Sequence, residues 1–92
     1  MYVIYCVDKP DHAHVRAENR PAHIEHLKAH AEKAVCIGPT LTDDGEGMNG
    51  SVIVMNFENR AEAQAFAEAD PYAKAGLFES VTIKRFKKVM PA

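Results

Sequence analysis

Two short segments constrain this chain of 92 residues most: YVIYCV, from Tyr2 to Val7, and SVIVMNF, from Ser51 to Phe57. Both are rich in β-branched and aromatic residues, which suit a pleated surface and argue for strands. Alternate side chains of a strand point to opposite faces. Val3, Tyr5 and Val7 therefore face one way, and Tyr2, Ile4 and Cys6 the other. Likewise Val52 and Val54 oppose Ile53, Met55 and Phe57. Neither strand offers a polar face, so the sheet they build needs apolar cover on both sides.

The remaining segments supply cover for one side. AVCIGPTL (34–41) reads as a strand that stops at Gly38-Pro39, and LFESVTIKRFKKVM (77–90) as a longer last strand. DKPDHAHVRAEN (8–19) is polar and contains Pro10, so it reads as a connection. Pro21 stands where a helix favours its first residue, and Ile24, Leu27, Ala31 and Ala34 then recur at helical spacing. A second helix opens at Asn59, with Glu62 three positions on as in a capping box, and carries Ala63, Phe66 and Ala67 as its apolar stripe. Pro71 ends it, because proline biases Asp70 away from helix. TDDGEGMNG (42–50) is a loop. The order is β-α-β-β-α-β, the ferredoxin-like α+β arrangement: one antiparallel sheet with two helices on one face. Residues 1–92 suffice for a single domain. The second apolar sheet face then predicts a homodimer, sheet packed on sheet.

Several function classes are disfavoured. The net charge of -2 argues against a nucleic-acid partner, whose footprint is usually basic. No apolar run approaches the length that spans a bilayer, and the opening MYVIYCVDKP lacks the basic start of a signal peptide, so the expected location is cytoplasmic and off the membrane. Cys6 and Cys36 lack the CxxC spacing of a zinc site and read as free thiols in a reducing compartment, with a disulfide or a nucleophilic thiol as the alternatives.

The histidines carry the chemical interest. NRPAHIEHLKAHAEK (19–33) holds His23, His26 and His30. His26 and His30 stand at i and i+4, a spacing that could bind zinc, but no third ligand is evident and no glutamate sits between them as in HExxH. They read as partly solvated helix residues, and no metal is expected. Placed in the first turn of its helix, His23 would be biased by the helix dipole toward neutral imidazole, the form a general base needs. Asp70 is the carboxylate that could hold its ring; otherwise Asp70 is a turn residue and His23 a satisfied one.

Taken together, YVIYCVDKP, RPAHIEHL (20–27), GPTL (38–41), GSVIVMNF (50–57), ADPYAKAGLFESV (69–81) and IKRFKKV (83–89) resemble the YCII-related protein family across essentially the whole chain. The pairing of RPAH with ADPY is the specific part. The resemblance implies a dimeric α+β barrel of ferredoxin-like protomers. It implies an active site on a histidine and an aspartate, which fall on His23 and Asp70, with Arg20 and Ser51 lining the same cleft as substrate-binding residues. It implies a cofactor-independent lyase or isomerase, dehydrochlorinase-like or muconolactone-isomerase-like, acting on a small cyclic anion. A non-catalytic module that binds a small ligand in the same pocket is the alternative. No phosphate cradle, nucleophile elbow or metal triad is visible, so no cofactor is expected.

Overall fold

The computed structural model describes residues 1–91. The order of elements is β1 (Tyr2–Asp8), α1 (Ala13–Lys28), a 3-10 turn (Ala31–Lys33), β2 (Ala34–Leu41), β3 (Met48–Met55), α2 (Arg60–Ala69), α3 (Pro71–Lys74) and β4 (Phe78–Arg85). The four strands form one antiparallel sheet in the order β2-β3-β1-β4. This is the ferredoxin-like topology read from the sequence.

The strand patterning sets the two faces. Ile4 lies between Ile53 and Ile83 in the ladder, and Cys6 between Ser51 and Val81. On that face Ile4, Cys6, Ile53 and Met55 are buried and form the core with Phe57, Ala63 and Phe66, supported by Leu27 and Ala67. The opposite face presents Val3, Tyr5, Val7, Val52 and Val54 at its centre, none of them fully buried and Tyr5 46% exposed. The two-faced apolar sheet is therefore real, and the helices cover one side of it.

The barrel implied by the family resemblance is not formed. The sheet is open: among the described residues β2 pairs only with β3 and β4 only with β1, and their outer edges are not joined. Closure needs enough tilted strands to surround a filled interior. Here four strands carry helices on one face, packed against it through Leu27, Ala63, Phe66 and Ala67.

The first helix also departs from expectation. It begins at Ala13, not at Pro21, and Pro21 lies inside it. Proline there removes one backbone bond, to the carbonyl of Ala17. Both residues are exposed, so water can satisfy that carbonyl. Ala31 and Ala34, assigned to this helix by spacing, instead lie in the 3-10 turn and at the start of β2. β2 runs straight through Gly38-Pro39 because it is an edge strand, where the missing proline N–H can face away from the ladder.

The second helix starts as its sequence specifies: the Asn59 side chain accepts the Glu62 N–H at 2.9 Å. It stops at Asp70, which also caps the single turn of α3. No helix among the described residues is long and apolar enough to cross a membrane.

Candidate active site

One cleft, of about 220 Å³, opens between α1, the middle of β2, the first half of β3 and Tyr72. Two buried polar residues of α1, Arg16 and His23, stand in its wall. They are seven residues apart, two helical turns, and so share one face of the helix about 10 Å apart along its axis. Each meets a carboxylate from elsewhere in the fold.

His23 meets Asp70. Its Nδ1–H donates to Asp70 Oδ1 at 2.9 Å and lies 3.1 Å from Oδ2, with both side chains almost fully buried. A carboxylate only accepts, so Nδ1 carries a proton, and in the neutral ring the lone pair is then on Nε2. Asp70 is itself fixed, because its Oδ1 accepts the Tyr72 N–H at 2.9 Å. The Pro71 ring that follows pre-sets the first residue of α3 and so the direction of that N–H. Every buried side-chain nitrogen or oxygen among the described residues has a hydrogen-bond partner. Nε2 makes no such bond among the described residues, so it is not sealed in the interior, and His23 lines the cleft.

The basis on which the sequence reading assigned a neutral His23 does not survive. His23 lies beyond the second turn of α1, not in its first, so the positive helix end is remote. What fixes the tautomer is the contact with Asp70.

Arg16 meets Asp8. Its Nε and Nη2 donate to the two carboxylate oxygens at 2.8 and 3.0 Å, and Nη2 also donates to the Gly50 carbonyl at 2.9 Å and the Ser51 hydroxyl at 3.1 Å. Burial works against this charge, but the hydrogen bonds and charge of Asp8 outweigh it and hold the guanidinium pKa above its ordinary value. Gly50 must be glycine for β1 and β3 to close here, since a Cβ would run into the Cys6 carbonyl and the Thr40 hydroxyl.

Tyr72 joins the two halves. Its ring stacks on His23 at 3.9 Å between centroids, 13° from parallel, and the Arg16 guanidinium lies 4.7 Å from its centre. The spacing of Arg16 and His23 along α1 leaves room for one ring between them. Burial raises the Tyr72 phenol pKa, although the Arg16 charge pulls the other way.

Of the residues assigned from sequence, His23, Arg20 and Ser51 line the cleft, and Asp70 stands behind His23. Arg20 is exposed at the rim, whereas Ser51 is buried. Three residues were missed: Asp8, Arg16 and Tyr72. Arg16 fell in what read as a connection, yet it is seven positions before His23, the helical spacing that would have exposed it. His26 and His30 lie elsewhere. His26 Nε2–H donates to the Phe66 carbonyl at 3.0 Å and its ring stacks on Phe66, so this partly exposed residue ties α1 to α2. No group of three or more His, Cys, Asp or Glu among the described residues is placed to hold a metal ion.

Residues 1–87 match the YCII-related domain. The chain belongs to the YCII-related family. Two relatives show how evenly the YCII-related likeness is spread. Protein YciI of Escherichia coli O6:H1 is 42% identical over 97% of this chain and 98% of its own length. An uncharacterized protein of Haemophilus influenzae is 37% identical over 96% and 97%. Among solved structures, 5-chloro-2-hydroxyhydroquinone dehydrochlorinase from Burkholderia phenoliruptrix AC1100, in complex with 2,5-dihydroxybenzoquinone, superposes with a TM-score of 0.87 at 37% identity, over 94% of this chain and 92% of that one. A protein from Agrobacterium tumefaciens, 22% identical with a TM-score of 0.58 over 99% and 94%, shares the fold alone.

Proposed function

We propose that this YCII-related chain is a cofactor-independent lyase or isomerase that moves a proton on a small, oxygenated ring. The observation that carries the reading is the buried His23–Asp70 pair, whose second imidazole nitrogen opens on a cleft. In this reading Nε2 of His23 is the general base. Asp70 holds the ring in the tautomer that leaves Nε2 unprotonated, and it stabilises the imidazolium formed when a substrate proton is taken. Ser51 in the cleft wall, with Arg20 at the rim, meets the anionic oxygen that develops, where an O–H donor and a nearby cation are favourable. The protonated His23 then returns its proton to a departing group or a second carbon, which completes an elimination or an isomerisation.

Substrate size follows from the cleft. An apolar cavity of about 150 Å³ accommodates benzene. A cleft of about 220 Å³ is therefore suited to one six-membered ring with a few small substituents. The similar dehydrochlorinase was solved with such a ring, 2,5-dihydroxybenzoquinone, which makes chlorinated hydroxyquinols and related enolisable rings the first substrates to try.

The test is turnover on a panel of chlorinated hydroxyquinols, small aromatic acids and lactones, with thermal shift in parallel. His23→Ala is expected to lower kcat by roughly 10² to 10⁴, the usual share of general acid–base catalysis. Ligands that bind without any turnover would overturn the catalytic reading and leave a binding module.

We also infer that a second copy of the chain covers the open sheet face, packing Val3, Tyr5, Val7, Val52 and Val54 against their equivalents. A contiguous apolar face of this kind is unusual on a monomer.

A further inference from the structure

Arg20 is the arginine that the family motif offers as an anion contact, but it is exposed, and a mobile surface charge is screened and weakly directing. Arg16 is different in kind. It is 6% exposed, and three acceptors besides the Ser51 hydroxyl fix one side of its guanidinium: both Asp8 oxygens and the Gly50 carbonyl. All of those bonds use Nε and Nη2. Nη1 makes none of these bonds; the Tyr72 phenol comes within hydrogen-bond range of the guanidinium, and with two hydrogens on Nη1 at least one is left for the cleft that Arg16 lines. Ser51 accepts from Nη2, so its own proton cannot point back at the guanidinium and is free for another acceptor. Two donors, Nη1–H and the Ser51 O–H, are therefore held side by side on the cleft wall, positioned before any ligand arrives.

We propose that Arg16 and Ser51 form the oxyanion subsite of the cleft, and that it takes one conjugated oxygen of a planar ring: a phenolate, an enolate or a quinone carbonyl. This rests on the reading of the cleft as a site for small oxygenated rings and names the group that holds them. The charge balance selects the ligand. Asp8 cancels the Arg16 charge within 3.0 Å, so the pair presents directed donors with little net positive potential. Such a site stabilises a single, partly charged oxygen. It is poorly matched to phosphate or sulfate, whose several charged oxygens call for uncompensated cations or many donors. The Tyr72 ring adds the geometry. It lies against both Arg16 and His23, so the oxygen held at Arg16 and the proton taken at His23 belong to separate positions of the substrate. Charge that develops as His23 removes a proton is drawn through the conjugated ring to the oxygen at Arg16. A ring whose acidic position and oxygen are conjugated meets this demand, and a saturated acid does not.

The experiment is calorimetric titration of the full chain with 2,5-dihydroxybenzoquinone, with inorganic phosphate as the contrasting probe. Asp8→Asn combined with Arg16→Gln removes both charges together and leaves no buried ion unpaired. It is expected to weaken the quinone Kd about 10- to 100-fold, the worth of one charge-assisted hydrogen bond. Ser51→Ala, a change too small to threaten the fold, is expected to weaken it several-fold. Phosphate at the same concentrations is expected neither to bind nor to compete. Quinone affinity unchanged in Ser51→Ala and in a folded double variant overturns the subsite; if turnover still depends on His23, the acid–base reading stands without it. Phosphate competing as well as the quinone also overturns it. No quinone binding by the unaltered chain at millimolar concentration overturns the subsite, and turnover of the wider panel then decides the acid–base reading separately.

Discussion

Asp70→Ala asks whether the His23–Asp70 contact is made in solution, and it needs no substrate. The carboxylate does two jobs. Oδ1 accepts the Tyr72 N–H and caps α3, and both oxygens lie within 3.1 Å of His23 Nδ1. Loss of a cap costs about 1 kcal/mol. Leaving the buried Nδ1–H without an acceptor costs about 1–3 kcal/mol more. The expected total is roughly 2–4 kcal/mol, and each kcal/mol shifts Tm by about 4–8 °C in a chain of this size. Asn59→Ala is the matched control. It removes a cap of the same kind, the one accepting Glu62 N–H, but Asn59 touches no histidine. Its expected cost is about 1 kcal/mol. Urea denaturation followed by circular dichroism measures both. If Asp70→Ala costs no more than Asn59→Ala, the histidine contact contributes nothing and the argument for a dyad fails. Asp70→Asn separates the charge from the hydrogen bonds. Its amide oxygen at the Oδ1 position can keep both the α3 cap and the 2.9 Å contact with Nδ1–H, while the NH2 replaces the oxygen 3.1 Å away and the negative charge is lost. This variant should keep most of its stability and lose the charge that would stabilise a protonated His23.

Other expectations concern the sheet and its thiols. Ile53→Asp should unfold the chain, since Ile53 is in the core, whereas Val54→Asp on the open face should leave it folded and shift sedimentation from dimer to monomer. A Val54→Asp variant with unchanged mass in sedimentation would remove the case for a sheet-to-sheet dimer. Gly50→Ala should lose about 1–3 kcal/mol in denaturant titration, because its methyl has no room between β1 and Thr40. Burial, aided by the charges of Asp70 and Asp8, pushes the Cys6 thiol from about 9 up to about 12, so at pH 8 a thiol reagent should titrate Cys36 quickly and Cys6 only on unfolding. Because the folded value is the higher one, the Cys6 contribution to stability is complete below pH 9 and is lost as pH rises toward 12. The urea midpoint should therefore fall less steeply above pH 9 in Cys6→Ala than in the unaltered chain.

The strands were legible because their burial is written in one alphabet. Ile4, Cys6, Ile53 and Met55 are apolar, spaced by two, and buried as that spacing requires. The start of α2 was equally plain, because Asn59 and Glu62 satisfy a backbone group at a fixed offset. The first half of α1 was not. Its buried position is Arg16, and it has no side-chain cap at His12, so neither hydrophobic periodicity nor a start signal marks it. Pro21 then supplied a false start, since it is tolerated inside the helix on the solvent side. The same hidden half concealed the candidate site. His23 and Asp70 were raised by residue type and position and singled out by motif resemblance, while Asp8 and Arg16 answer to no local pattern: they meet only because β1 and α1 pack together. The mistaken helix-dipole argument for His23 has one source as well, the misplaced helix start.

The cost of this arrangement bears on what it is for. Arg16, His23 and Asp70 lie within the protein at 6% exposure or less. Desolvating such groups is expensive, and a buried ion pair is often no more stabilising than well-packed apolar side chains of the same size. A chain of 92 residues with a core of this extent has little stability to spare, yet it buries two carboxylates against an arginine and a histidine on one helix face. Stability alone gives no reason for that choice. The pairings do share one geometric property. Each carboxylate occupies one side of its partner and makes no bond to the other, Nη1 of Arg16 and Nε2 of His23, and both residues line the same cleft. A structural ion pair has no need of an unused donor or acceptor at a cavity wall. A site that must hold an oxygen at one end and accept a proton at the other requires both.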